Sequence, residues 1–455
     1  MEDLDNICNP VSVIKKAEQL AAQLFHADNA FFLVNGTTNG IQSMIMSVCE
    51  PGDKIIIPRN AHKSAIGGII LSGAEPIYID PEIDDFMGIA MGVTPETVAQ
   101  ALKNYPEAKA VFVINPTYYG IASELQTIVN IAHAFGKPVL VDEAHGAHLQ
   151  FDARMPLSAM DAGADMAAIS IHKLGGSLTQ SSILLHQGNL LNPQRIKAVL
   201  NLTQTTSPSY ILLASLDIAR KQLAEKGEEL IAGTYDLAMW ARAQIRKIEG
   251  LYLLDEEILG QPGCCAQDPT KIVVNVRGLG LSGYEVENIL RRDYHLQVEL
   301  SDLFNILALI SLGDDRESLR KLVNALQKIA DGRSVKNVVK YSLPLPTLPE
   351  LIVSPRNAFY AETRMISFDE AEGEISAEMI MAYPPGIPLI CPGERITHEI
   401  IDYVNILRKE KAELQGTEDP TVKEIKVLSN HLLVAQKIEA EDKQNQVMNY
   451  PLSLA

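Results

Sequence analysis

Seven short, nearly continuous apolar runs lie between residue 10 and about residue 190, and no other feature constrains the fold as much. They occupy 31–34, 54–57, 76–79, 110–114, 139–141, 167–171 and 182–185, with amphipathic stretches such as 94–104 and 124–135 between several of them. A strand that is apolar on both faces has to be covered on both faces. Alternation of such strands with helices therefore predicts a largely parallel sheet with helices on either side. Ligands of such sheets bind beyond the carboxyl ends of the strands, so chemistry is to be sought in the residues that follow each run.

Lys173 is the most telling of those residues. It follows the 167–171 run in Ser170-Ile171-His172-Lys173-Leu174-Gly175-Gly176-Ser177, and Asp142 closes another run in Val141-Asp142-Glu143-Ala144-His145-Gly146-Ala147-His148. A lysine and an acid at two strand ends point to pyridoxal phosphate held as a Schiff base. The cofactor's protonated pyridine nitrogen draws electrons from the substrate carbon and needs a carboxylate facing it. The other reading of Asp142 is a helix N-cap. Lys173 has to be uncharged to attack an aldehyde, and burial lowers a lysine's pKa.

Four further features accompany this pair. Asn35-Gly36-Thr37-Thr38-Asn39-Gly40 follows the first run and opens a helix, as a candidate phosphate cradle or a simple cap; no Gly-Lys-Ser/Thr follows, so it is not a Walker loop. His62, in Pro58-Arg59-Asn60-Ala61-His62-Lys63-Ser64, either stacks on the pyridine ring or starts a helix. Ser170 and His172, two apart in an extended chain, point to the same side toward a phosphate. Thr206 and Ser207, in Thr203-Gln204-Thr205-Thr206-Ser207-Pro208, belong to a capping segment or offer oxygens to a phosphate across a dimer interface. His145 and His148 stand beside an acid, but no third ligand is suitably spaced, and no metal is assigned.

Composition narrows the class. The formal net charge of −18 argues against nucleic-acid binding as the main activity. The five cysteines have no zinc spacing and read as reduced thiols; with no signal peptide and no apolar run of membrane-spanning length, a cytoplasmic protein is expected. The organisation expected is a large domain core over 1–205, a long helical connection over 206–269 that is broken or kinked around Gly227 and Gly233, and a small α+β domain over 270–335. A proline-rich linker over 336–349 follows, then a C-terminal domain over 350–455 with a polar tail.

The stretches Val141 to Gly146, Ser170 to Ser182 and Tyr383-Pro384-Pro385-Gly386-Ile387-Pro388 resemble the Orn/Lys/Arg decarboxylase family, the group III enzymes of fold type I. The similarity spans nearly the whole chain and is nearest to compact arginine decarboxylase-like members without a wing domain. It implies an α/β large domain of the pyridoxal-phosphate transferase type, a small α+β domain and a C-terminal α+β decarboxylase domain. It implies decarboxylation of a basic amino acid, arginine to agmatine ahead of lysine or ornithine, in polyamine biosynthesis, by a homodimer or dimer-based oligomer. Carried over, Lys173 holds the cofactor, Asp142 pairs with its ring nitrogen and His62 stacks on the ring. Gly36, Thr37, Thr38, Ser170 and His172 hold the phosphate region, with His145 alongside, and Thr206 and Ser207 serve the partner subunit's phosphate. Glu394, in Cys391-Pro392-Gly393-Glu394, borders the substrate entrance. An aminotransferase or lyase is the next enzyme alternative, and a non-catalytic paralogue the alternative from another class. Members of this size carry a further stretch, with a Pro-Gly-His-Lys-like motif, before the equivalent of Met1; a misassigned start or a truncated, impaired member is therefore expected.

Overall fold

The computed structural model describes residues 5–333, 346–382 and 386–429. The chain divides into two compact units, Met1–Pro344 and Leu345–Ala455. In the first unit, seven strands form one sheet: β1 (Asn29–Leu33), β2 (Lys54–Pro58), β3 (Glu75–Ile79), β4 (Val111–Ile114), β5 (Val139–Asp142), β6 (Met166–Ile169) and β7 (Ser182–His186). Their order is β1-β7-β6-β5-β4-β2-β3. Pairing is parallel from β6 across to β3, whereas β7 runs antiparallel to both β1 and β6. Each of the seven apolar runs is a strand. Ile55, Ile56 and Ile57 in β2, and Val139, Leu140 and Val141 in β5, are wholly buried, as strands covered on both faces must be.

Helix α1 (Gly36–Val48) follows β1, helix α2 (Lys63–Ser72) follows β2, and a single helical turn, α3 (Ile171–Leu174), follows β6. The chain thus leaves the sheet two residues earlier than the apolar run suggests. Ser170 and His172 are consequently not neighbours on one side of an extended segment.

Helix α4 (Tyr210–Ile245) runs unbroken for 36 residues, with the Ser209 side chain accepting from the Leu212 N–H at its start. No break occurs at Gly227 or Gly233. Gly227 serves packing instead: a Cβ there would lie 2.5 Å from the Phe151 ring. The first half of α4 buries Leu213, Leu216 and Leu223 in the core of the large sheet. Its last turns bury Ala238, Ala241 and Ile245 in a second core, built on a four-stranded antiparallel sheet. That sheet comprises β8 (Tyr252–Leu253), β9 (Lys271–Asn275), β10 (Leu300–Ser301) and β11 (Asn305–Leu309) in the order β8-β9-β11-β10. Its helices α5 (Gly283–Asp293) and α6 (Arg316–Asp331) start with reciprocal capping boxes, Ser282 with Glu285 and Asp315 with Ser318. One helix therefore lies in both cores, and the parts expected as separate domains fall in a single compact unit. Arg242 of α4, itself buried, donates to the backbone carbonyls of Lys271 at 3.1 Å and Leu254 at 2.6 Å.

In the second unit, strands Thr363–Ser367 and Glu424–Leu428 pair antiparallel, and Ile380–Ala382 lies between Ile387–Ile390 and Leu414–Gln415. Helix His398–Lys409 contributes Ile400 and Val404 to a core with Phe368, Ile380 and Ile425. Residues 336–345 of the expected linker, Tyr383-Pro384-Pro385 and the polar tail lie outside the described residues. Among the described residues, no helix is long and apolar enough to cross a membrane.

The two glycines of α4 are expected to respond oppositely to substitution. Gly227→Ala overpacks against Phe151 and should cost about 1–3 kcal/mol. Gly233→Ala, with nothing within 4 Å of the new methyl, should gain about 0.5–1 kcal/mol from helix propensity. Urea denaturation midpoints of the two variants check the signs.

Candidate active site

The carboxyl ends of β1, β2, β4, β5 and β6 supply most of one cluster. At its first end, α1 begins at Gly36, in the left-handed region at φ 75°, and its N-cap Asn35 makes no side-chain capping bond. The Gly36 N–H donates to the Gln180 carbonyl at 2.9 Å, and the N–H groups that follow it in the first turn, with the helix dipole, suit an anion. Thr37 Oγ1 lies 2.5 Å from Ser170 Oγ and 2.8 Å from Ser182 Oγ, and all three residues are buried. Ser182 was not anticipated as a site residue. It opens the antiparallel β7, whose register sets Ser182 opposite Leu33, so the start of this strand lies beside the end of β1. Thr38 is exposed. His172, within the α3 turn, has Nδ1 2.8 Å from the Ser181 carbonyl oxygen, which orients it by a route that extended-chain geometry did not foresee.

The second end of the cluster is built from amines, imidazoles and a carboxylate. Lys173 Nζ lies 2.8 Å from His145 Nε2 and 5.3 Å from the Tyr118 ring centroid. The Tyr118 and His145 rings are themselves in contact, with centroids 4.3 Å apart. Burial draws the Lys173 amine below its ordinary pKa, against the opposing pull of Asp142 and Glu299. Asp142 is buried and its Oδ1 accepts from the Ala144 N–H at 3.1 Å. No helix starts there, so the N-cap reading fails. Burial pushes its carboxyl up to about 6, with the Ala144 N–H and Lys173 acting against the rise. A cationic group opposite Asp142 would reverse that shift.

His62 is the N-cap of α2, and its Nδ1 accepts from the Ser64 N–H at 3.2 Å. The helix-start reading is thus realised, and the bond leaves the proton on Nε2. Burial, aided by the charge of Lys173, lowers His62 to about 4. His145 is driven well below its usual value, by burial first and then by Lys173 and Lys271.

Three participants come from the chain around the small sheet, where sequence reading marked no chemistry. Lys271, the first residue of β9, is wholly buried with Nζ 2.5 Å from His145 Nδ1. Asp268 pairs with His148 Nε2 at 3.1 Å and accepts from the Thr270 hydroxyl at 2.7 Å. Glu299 lines, with Lys173, Gln297, Ser311 and Asp314, a cavity of about 300 Å³. A strand whose first residue is a buried lysine was the available signal.

The remaining expected residues stand elsewhere. Thr206 and Ser207 are exposed between two helices, where the Ser207 N–H donates to Thr205 Oγ1 at 3.2 Å, and neither has a described bond to the Thr37 cluster. Ser209 takes the capping position instead. Glu394 lies in the second unit and is 0% exposed, with Oε2 accepting from the Cys391 N–H at 2.7 Å. Within that unit the carboxylate is buried beside its own loop.

The site donors fit a phosphate-bearing aldehyde whose ring carries a basic nitrogen. They offer a hydroxyl hub at an uncapped helix N-terminus, an amine with a lowered pKa, and a buried acid. His62 should titrate near pH 4 by ¹⁵N-resolved imidazole NMR. In Lys173→Met its midpoint should rise, because the repelling charge is gone; a midpoint that stays put would rule out proximity of the two groups.

Comparison with known proteins places this arrangement. Residues 1–318 match the model of the Orn/Lys/Arg decarboxylase major domain, and residues 342–422 that of the C-terminal domain. The chain is 49% identical over 430 residues to an arginine decarboxylase of Bacillus subtilis, covering 94% of this chain and 88% of the relative. An arginine decarboxylase of Halalkalibacterium halodurans is likewise 49% identical, with the same coverage. The crystal structure of a lysine decarboxylase from Francisella novicida shares the fold at a TM-score of 0.80 and 23% identity, over 94% of this chain and 74% of that one. On both domains and on the near-complete match to its relatives, this chain belongs to the Orn/Lys/Arg decarboxylase family of carboxy-lyases.

Proposed function

We propose that this protein decarboxylates arginine to agmatine with pyridoxal phosphate held at Lys173. The observation that carries the reading is the convergence of a partly desolvated lysine, a buried acid and a hydroxyl-lined helix N-terminus at the carboxyl edge of one sheet. Family membership and the names of the two relatives at 49% identity support it.

When bound, pyridoxal phosphate supplies the electron sink that lets an amino acid lose carbon dioxide. The chain's own residues do the rest. Thr37, Ser170 and Ser182, with the α1 N–H groups, are assigned to hold the phosphate. Asp142 is the carboxylate assigned to the ring nitrogen, and His62, neutral at working pH, to the ring face. Lys173, uncharged before it reacts, would be the residue to which the cofactor is joined. Once released by substrate, its Nζ is the group assigned to move a proton at the substrate Cα. Glu299 lines the cavity beside Lys173. It is assigned to the cationic tail of the substrate, with Glu394 as the competing acid from the C-terminal unit. On the same reading the enzyme is a cytoplasmic homodimer serving polyamine synthesis.

Product assays with arginine, lysine and ornithine side by side test the reading. Arginine should be favoured by at least about tenfold in kcat/KM; equal rates, or amine transfer without release of carbon dioxide, would overturn it. Lys173→Ala and Asp142→Ala should each lower kcat by at least about 10²-fold. A Lys173→Ala protein that keeps the visible Schiff-base absorbance with no added amine contradicts the anchor. Glu299→Gln should raise KM for arginine about tenfold with kcat nearly unchanged; an effect confined to Glu394→Gln instead moves the tail assignment to the C-terminal unit.

A further inference from the structure

His145 sits between two lysines. Its Nε2 lies 2.8 Å from Lys173 Nζ and its Nδ1 2.5 Å from Lys271 Nζ. An ammonium has three donors and no acceptor, whereas a neutral imidazole has one donor and one acceptor. His145 can therefore accept from only one lysine, and its own N–H must meet a lone pair on the other. A doubly protonated ring would need both amines neutral. In every arrangement that keeps both bonds, at least one lysine has given up its proton.

We propose that Lys271 governs the protonation of Lys173 through the tautomer of His145. A proton leaves Lys173 Nζ for His145 Nε2, the Nδ1 proton passes to Lys271 Nζ, and the return runs in reverse. No net charge enters or leaves the three groups, so the exchange needs no water. Lys271 contacts the imidazole rather than the Lys173 amine through its hydrogen bond, and is a positioning residue that acts through the ring. This rests on the reading of Lys173 as the cofactor's anchor.

The surroundings are built for such an exchange. The Lys271 stem packs against Gly120, held at φ +83°, where a Cβ would lie 2.7 Å from Lys271 Cγ. Its backbone carbonyl is fixed by Arg242. Tyr118 lies against the His145 ring. The charges facing the relay come from every side: Asp142 and Glu299 act on Lys173, Asp268 and Glu299 on Lys271, and His62 and His148 on His145. Burial lowers Lys271 to about 8 and also lowers Lys173, so desolvation acts on both amines that flank the imidazole.

The test measures Lys173 in the full chain freed of cofactor, by competitive acetylation with trace acetic anhydride across pH and mass spectrometry of the Lys173 peptide. Lys271→Met removes the proton acceptor and leaves Nε2 free to accept from a charged Lys173. Acetylation at pH 7 should fall about tenfold, equivalent to one unit of pKa. Lys271→Arg keeps a permanent donor on Nδ1, which forces the Nε2 proton toward Lys173; acetylation should then rise. Opposite shifts are the signature, because a packing role alone would move both variants the same way. Should Lys271→Arg not fold, Lys271→Met decides by itself when repeated in a His145→Phe background, where its effect should vanish. A Lys173 profile within twofold of wild type in Lys271→Met, or an effect that persists without His145, overturns the proposal. Uptake of pyridoxal phosphate by the wild type, followed by its visible absorbance, separately tests the anchor role of Lys173.

Discussion

Removal of water from the carboxyl edge of the sheet is the constraint on which the site depends. An isolated charge in such a place is expensive, so each ionisable group must find a partner or surrender its charge. Both happen here. Acids move up and bases move down: Asp142 to about 6, His62 to about 4 and Lys271 to about 8, each with burial as the leading cause. Asp268 is the exception, held below its ordinary value by His148 and Lys271 despite its burial. Desolvation thus favours the uncharged form of the site's bases, the condition under which an amine can act as a nucleophile and later carry a proton.

Topology delivers these groups without long loops. Parallel strands bring Asp142, Tyr118, His62 and Lys173 to the same edge. One antiparallel strand adds a serine from its amino end, because reversing a strand reverses which terminus reaches that edge. The small sheet then contributes Lys271 at the first residue of a strand, the position from which a side chain can leave the sheet and reach a neighbouring layer.

Much of this was legible in the sequence, for identifiable reasons. Buried parallel strands are apolar throughout, so all seven were visible as runs, and the polar residue that ends each run was conspicuous. Lys173, Asp142 and Thr37 were found in that way. Ser182 was hidden because nothing in its run reveals that the strand is reversed. Lys271 was hidden because it lies 98 residues beyond Lys173 and begins a strand in another core. The pairing of His172 was misjudged because a strand's last apolar residues already belonged to a helical turn. Gly227 was read through its backbone freedom, whereas the aromatic ring packed against it is what requires a glycine.

The helix shared by the two cores has a bearing on how members of such a family can be recombined. Its first half is shaped by the large sheet, its last turns by the small one, and Arg242 near its end fixes the backbone of Lys271. A chimera that exchanges the small sheet while keeping the parental helix would set Arg242 against a strand that did not evolve with it. Crossover points between relatives therefore belong ahead of Tyr210, so that helix and strand are inherited together.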